Sequence, residues 1–257
     1  MTHFISPCFF LGINPFFSAY DQSDYFGKGV IISLILLSIV GWIVLVHKIW
    51  VIRLVRQRSQ QFHDVFQEKR QHPLSLSVEG SLFMSSNEIP NPYVEVYHIL
   101  KTYTLEMLNK NRAFGQAEGN ALPAKKVYLS SSDVDLVSSH MMSAICTQTK
   151  KLEKNLFVLL TMVSLAPFLG LLGTVWGILI SFSGLQSQAV GGTNQLVLAG
   201  LSTALATTVL GLVVAIPALI GYNYLKAVIN NYETEITGFS VLMLASVEMQ
   251  YRKVDVS

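Results

Sequence analysis

Residues 166–182 read APFLGLLGTVWGILISF: seventeen positions without a charge, yet three glycines, a proline, a threonine and a serine among them. So apolar a stretch has little use for poor hydrophobic filler unless the small residues and hydroxyls have a task. Three readings compete: a soluble core, a passive anchor and a conducting helix.

The surroundings dispose of the first. Between Lys154 and Lys226 lie 71 consecutive residues without Asp, Glu, Lys or Arg. A spanning helix needs roughly 20 apolar residues, so this run holds two, divided by the polar SGLQSQAVGGTNQ at 183–195. A third run, GVIISLILLSIVGWIVLV at 29–46, just crosses a hydrocarbon core of roughly 30 Å at about 1.5 Å per residue. The whole chain of 257 residues is only 13% charged, against about 25% in ordinary soluble domains.

Basic residues near the span ends set orientation. Segment 47–154 holds 14 of the 18 Lys and Arg, the tail 226–257 three, the first 28 residues one, and the 183–195 loop none. The expected layout is a periplasmic segment 1–28, a span 29–46, a cytoplasmic helical domain 47–154, a span 155–182, a periplasmic loop 183–195, a span 196–225 and a cytoplasmic tail 226–257. No Lys or Arg precedes Lys28 and no small-residue cleavage pattern follows an early apolar core, so the first span is read as retained. Cys8 and Cys146 then lie on opposite sides and cannot pair within one chain.

The spans do not stop at the membrane. Ile49, Ile52, Val55, Phe62, Val65 and Phe66 continue the first at helical spacing, and Leu225, Val228, Ile229, Tyr232, Ile236, Phe239, Leu242 and Met243 continue the third. Residues 71–92, with three prolines and five serines, read as a loop, and Asn91-Pro92 as the start of a helix to about Phe114. After a second linker, Ser132 and Asp135 predict a capping box. The next helix is expected to run unbroken from Asp133 to Phe182, about 75 Å. The fold class is therefore all-α membrane protein, with three transmembrane helices, two of them extended far into the cytoplasm as long amphipathic helices whose stripes need partners.

Catalysis finds little support. The histidines at 3, 47, 63, 72, 98 and 140 show no pair at ligand spacing. GLLGTVWG lacks the Lys-Ser/Thr of a phosphate loop, and no nucleophile–base pair stands out. Neither an enzyme nor a cofactor or metal site is expected.

Packing explains more. Gly170, Thr174, Gly177 and Ser181 share one face of the second span, with Gly173 beside them. Gly200, Ala204, Thr208, Gly211, Ala215 and Ala218 share one face of the third. Small faces let helices approach closely in lipid, and a threonine there can simply bond the carbonyl four residues back. Ser202, Thr203, Thr207 and Thr208, four hydroxyls in seven residues, exceed what packing requires and suit a narrow wet pathway. No span holds a carboxylate, lysine, arginine or histidine, whereas proton pathways generally use an ionisable group inside the membrane to hold the proton. If protons pass, the titrating group comes from another protein.

KLEKNLFVLLTMVSLAPFLGLLGTVWGILISF followed by LAGLSTALATTVLGLVVAIPALIGYNYL resembles the signature of the MotA/TolQ/ExbB proton-channel family, in its TolQ/ExbB branch. The likeness is dense over about residues 150–226. It implies a homo-oligomeric ring, a pentamer in the family, around two copies of an ExbD- or TolR-like single-span protein carrying a membrane aspartate. It further implies H⁺ as coupling ion and energy passed toward the outer membrane, with a TonB- or TolA-like transducer as a further partner. By motif position Thr174 and Thr208 correspond to the family's pore-facing threonines, with Thr207, Ser181 and Thr203 along the same pathway. Pro167 and Pro217 correspond to the prolines that bend the spans. Many relatives carry a glutamate where this chain has Thr203, which leaves TolQ-like and ExbB-like subtypes both open. Beside the conducting reading stands a non-conducting oligomeric membrane scaffold. A solute transporter is disfavoured, because the chain has no internal repeat or broken paired spans.

Overall fold

The Asp24 carboxylate accepts the amide of Gly27 at 3.0 Å, satisfying one of the orphan donors with which every helix begins. This computed structural model describes residues 20–21, 23–68, 72–76, 91–117, 128–187 and 194–251, and among these described residues the helix that Asp24 opens is one of five long helices. They are α1 (Tyr25–Glu68), α2 (Pro92–Ala117), α3 (Ser131–Glu153), α4 (Leu156–Ser187) and α5 (Asn194–Tyr251), with no strand among the described residues. Three of them, α1, α4 and α5, are long and apolar enough to cross a membrane. Most of the expected linkers (77–90, 118–127), part of the expected loop (188–193), residues 252–257 and the segment 1–19 with Cys8 lie outside the described residues.

Two expectations need correction. The helix expected from Asp133 to Phe182 is interrupted: α3 ends at Glu153, and Asn155 takes φ 72° before α4 begins. Asparagine is among the few residues that enter this left-handed region at low cost, so an uncharged Asn within an apolar run was the breaker. The Lys154 amide bonds Lys150 O and the Val158 amide bonds Asn155 O, so both helix ends are served. The Lys48 ammonium donates to Leu152 O at 2.9 Å, a cation on the negative end of α3. The cap also sits two residues earlier than expected: Ser130, not Ser132, is the N-cap of α3, and the Asp133 carboxylate accepts the Ser130 amide at 2.9 Å.

The chain divides into two units, Met1–His47 with Asn155–Tyr224, and Lys48–Lys154 with Leu225–Ser257. In the first, Val30 and Leu34 of α1 meet Ala166 of α4 and Ala215 of α5, with Leu37, Leu169, Leu210 and Val214 packed around them. The second is built from the rest of α1 and α5 together with α2 and α3. Phe62, Phe66, Tyr97, Ile229, Ile236, Phe239 and Met243 are nearly or fully buried there. Phe239 stands edge-on to Phe62 and Phe66, with ring centres 6.3 and 5.3 Å apart. Most of the stripe on α5 faces this core, but Leu242 does not and is exposed. Ser59 bonds Tyr232 Oη at 2.7 Å and Asn91 at 3.2 Å, and Asn91 Oδ1 accepts the Tyr93 amide as N-cap of α2.

Candidate functional site

Within the first unit the glycines of α4 meet the backbone of α5 directly. A Cβ placed on Gly170 would stand 3.0 Å from Thr207 O and 3.1 Å from Thr208 Cα, and one on Gly211 2.6 Å from Ala166 O. Any side chain at these points would push two backbones apart, which is why small residues recur along both faces. Gly177 likewise faces Ala204 and Gly200, and Ala204 and Ala215 are buried in the same seam.

The close approach sets the hydroxyls. The Oγ1 atoms of Thr174 and Thr208 touch each other across the two helices. Both also point at Gly170 O, Thr174 at 3.0 Å and Thr208 at 3.3 Å. A hydroxyl has one proton to give and two lone pairs to offer. The Gly170 carbonyl and the contact between the hydroxyls take up the two protons. The pair therefore presents lone pairs outward and accepts a hydrogen bond from water or from an acid. Both threonines are half-buried, so this acceptor surface is reachable.

The other expected pathway residues are placed differently. Thr207 is fully buried beneath Gly173 and donates to Ala204 O at 2.7 Å. Ser181 donates to Gly177 O at 2.8 Å and packs against Gly200, and Thr203 is buried as well. Of the five hydroxyls, then, Thr174, Thr207 and Thr208 gather around Gly170 O, and only the first and last are partly open. Pro167 lies within α4 and Pro217 within α5.

One contact escaped the sequence. The Trp176 indole N–H donates to Asp24 Oδ2 at 3.1 Å, and the ring lies 4.3 Å from that of Phe26. Burial is the largest single influence and pushes the Asp24 carboxyl up, but the hydrogen bonds from the Gly27 amide, the Trp176 indole and the amides of Phe26 and Asp24 together hold it below its ordinary range. Asp24 before an apolar run does read as a cap. Its pairing with a residue 152 positions away has no local signal.

Comparison with known proteins bears on what this arrangement does. Residues 113–237 match the MotA/TolQ/ExbB proton channel family. The Tol-Pal system protein TolQ of Pseudomonas aeruginosa is 30% identical over 198 residues, covering 77% of each chain. The biopolymer transport protein ExbB of Pseudomonas putida is 28% identical over 255 residues, 98% of this chain and 67% of that one. ExbB of Aquifex aeolicus is 46% identical over 76 residues, 30% of this chain and 51% of that one. The high identity of the short match and the length of the other two agree on one relation. With three helices fit to span a bilayer and a seam of glycines carrying paired threonines, the chain is a bacterial inner-membrane protein, not an enzyme, and belongs to the TolQ/ExbB branch of the MotA/TolQ/ExbB proton channel family.

Proposed function

We propose that this chain is the ring-forming stator subunit of a proton-driven motor that energises work at the outer membrane. Five copies surround an ExbD- or TolR-like single-span protein whose membrane aspartate carries the proton. A TonB- or TolA-like transducer takes the work onward. The amino terminus is periplasmic and the carboxyl terminus cytoplasmic, as the placement of Lys and Arg supports.

The observation that carries this reading is the Thr174–Thr208 pair in helices that hold no Asp, Glu, Lys, Arg or His between Leu156 and Leu225. A wall of acceptors without a proton store suits a stator whose carboxyl arrives on another protein. Pro167 and Pro217 each remove one helical amide, and the bends this allows would shape the mouth of the pathway.

A scaffold reading is favoured by the seam itself, because Thr207, Ser181 and Thr203 are buried in it. Thr208→Val and Thr174→Val decide between the two, keeping side-chain volume while removing the hydroxyl. Proton flux into vesicles holding the assembled complex is expected to fall by at least tenfold with ring size unchanged. Full flux in both variants would leave the scaffold. The mass of the gently extracted native complex tests the partner: a ring with a minor single-span protein is expected, and a ring alone would end the stator reading.

A further inference from the structure

Proline has no amide to give, so Pro217 leaves the carbonyl of Val213, one turn before it in α5, without its helical donor. In water such a carbonyl is simply hydrated. Inside a bilayer it is left unpaired unless a neighbouring helix, a Ser or Thr side chain or an ordered water supplies the missing hydrogen bond.

α1 stands beside this break. Gly221 of α5 faces Leu45 of α1, and one turn earlier a cleft lies between α1, α4 and α5. Ser38, Trp42, Met162, Val213, Pro217 and Ala218 are in its wall. Val213 and Pro217 are one turn apart on the same face of α5, so the freed carbonyl lies between them, at the cleft. Ser38 brings the one side-chain hydroxyl in that wall. Ser33 and Ser181 spend theirs on carbonyls of their own helices. Ser38 makes no hydrogen bond among the described residues and is half-buried, so its hydroxyl is open to the cleft.

The space between the two groups has the size of a water. The cleft offers about 20 Å³, where a water needs roughly 10–15 Å³ and at least two polar partners. We infer that one water molecule is bound here, donating a hydrogen bond to Val213 O and held by the Ser38 hydroxyl, so that α1 completes the ladder that Pro217 breaks in α5. Ser38 stands nine residues from Gly29 and eight from Val46, near the centre of the uncharged stretch of α1, where bulk water does not reach. An acyl chain entering past Trp42 and Val213, both exposed, would fill the space but leave the carbonyl unpaired.

This face of α5 is not the one that carries the threonine pair. Val213 and Pro217 are turned about 140° and 180° around the axis from Thr208. The water is therefore no part of the proposed proton path and does not depend on it. It gives α1, which adds nothing to the pair, a task in the wall behind it.

An electron cryo-microscopy map of the protein extracted from its membrane into phospholipid nanodiscs, at a resolution that shows ordered water, tests this directly. A compact peak about 2.7–3.0 Å from both Val213 O and Ser38 Oγ is expected. Acyl-chain density in the cleft, or no peak within reach of both atoms, overturns the inference. Melting temperatures give a second test. Ser38→Ala is expected to lower the midpoint by roughly 2–4 °C. Pro217→Ala returns an amide to Val213 O, and in that background Ser38→Ala is expected to cost about 1 °C or less. Equal losses in the two backgrounds would show that Ser38 acts by packing alone, against the inference. Should a variant fail to assemble, the map of the native protein still decides.

Discussion

In one unit the helices meet at Ala166, Gly170, Gly173, Ala204 and Gly211; in the other they meet at Phe62, Phe66, Tyr97, Tyr232 and Phe239. Both sets are drawn in part from α5, which contributes to both units. The change of side-chain size along a single helix follows from the solvent each part must suit. Between spans, lipid is as apolar as any leucine, so nothing is gained by hiding large side chains, and helices associate by bringing backbones together. Where water surrounds the bundle, burying large apolar area supplies the driving force.

This contrast would break first at Phe62. The side chain is fully buried against Tyr97 and Phe239, and Phe62→Ala is expected to cost about 3–5 kcal/mol. Chemical unfolding followed by near-ultraviolet circular dichroism measures it. A loss under about 1 kcal/mol would mean that this core is not packed as aqueous domains are.

Two glycines on α5 sharpen the comparison within one helix. A Cβ at Gly211 meets Ala166 O at 2.6 Å, whereas one at Gly238 meets nothing within 4 Å. Gly211→Ala must separate backbones and is expected to cost about 1–3 kcal/mol. Gly238→Ala only reduces the freedom of the unfolded chain and is expected to gain about 0.4–1 kcal/mol. Melting temperatures of both variants in the same detergent give the signs. If both destabilise alike, close approach is not what selects glycine in the seam.

How much of this could be read from the sequence differs between the two units for a physical reason. Charge-free runs and small-residue spacing are local properties, so the spans and the small faces that carry Thr174 and Thr208 were legible before any coordinates, but not that the two hydroxyls would touch. The aromatic stripes on α1 and α5 were legible as stripes, but not which rings would meet, because Tyr93 and Tyr97 come from a helix a linker away. The break at Asn155 was hidden by its neighbours, since an apolar run with one asparagine has the same periodicity as an intact helix. Thr207 is set apart from Thr208 in a way the sequence order does not show. Adjacent to Thr208 in sequence, it is turned about 100° around the axis, which carries it out of the pair and under Gly173.

The smallest expected effect is a pH dependence confined to the aromatic unit. Burial pushes the Tyr97 phenol up to about 12, with its bond to the Leu76 carbonyl pulling slightly the other way. Burial, and then the charge of Glu235, raise Tyr93 to about 12 against the opposing pull of Arg56. A phenol whose folded value lies above its unfolded value of about 10 binds its proton more tightly in the native state. Its contribution is therefore complete below about pH 10 and is lost as pH rises toward 12. The seam between α4 and α5 has no titratable group and should lose nothing over the same range. Tyr97→Phe gives up the bond to Pro73 O at 2.8 Å, about 1 kcal/mol at neutral pH, but flattens the alkaline loss. Unfolding midpoints of wild type and variant between pH 9 and 11.5 test this, with tyrosinate absorbance marking the ionisation. Equal slopes in the two proteins would show that the alkaline transition, if present, starts elsewhere than in the core that distinguishes this unit from the seam.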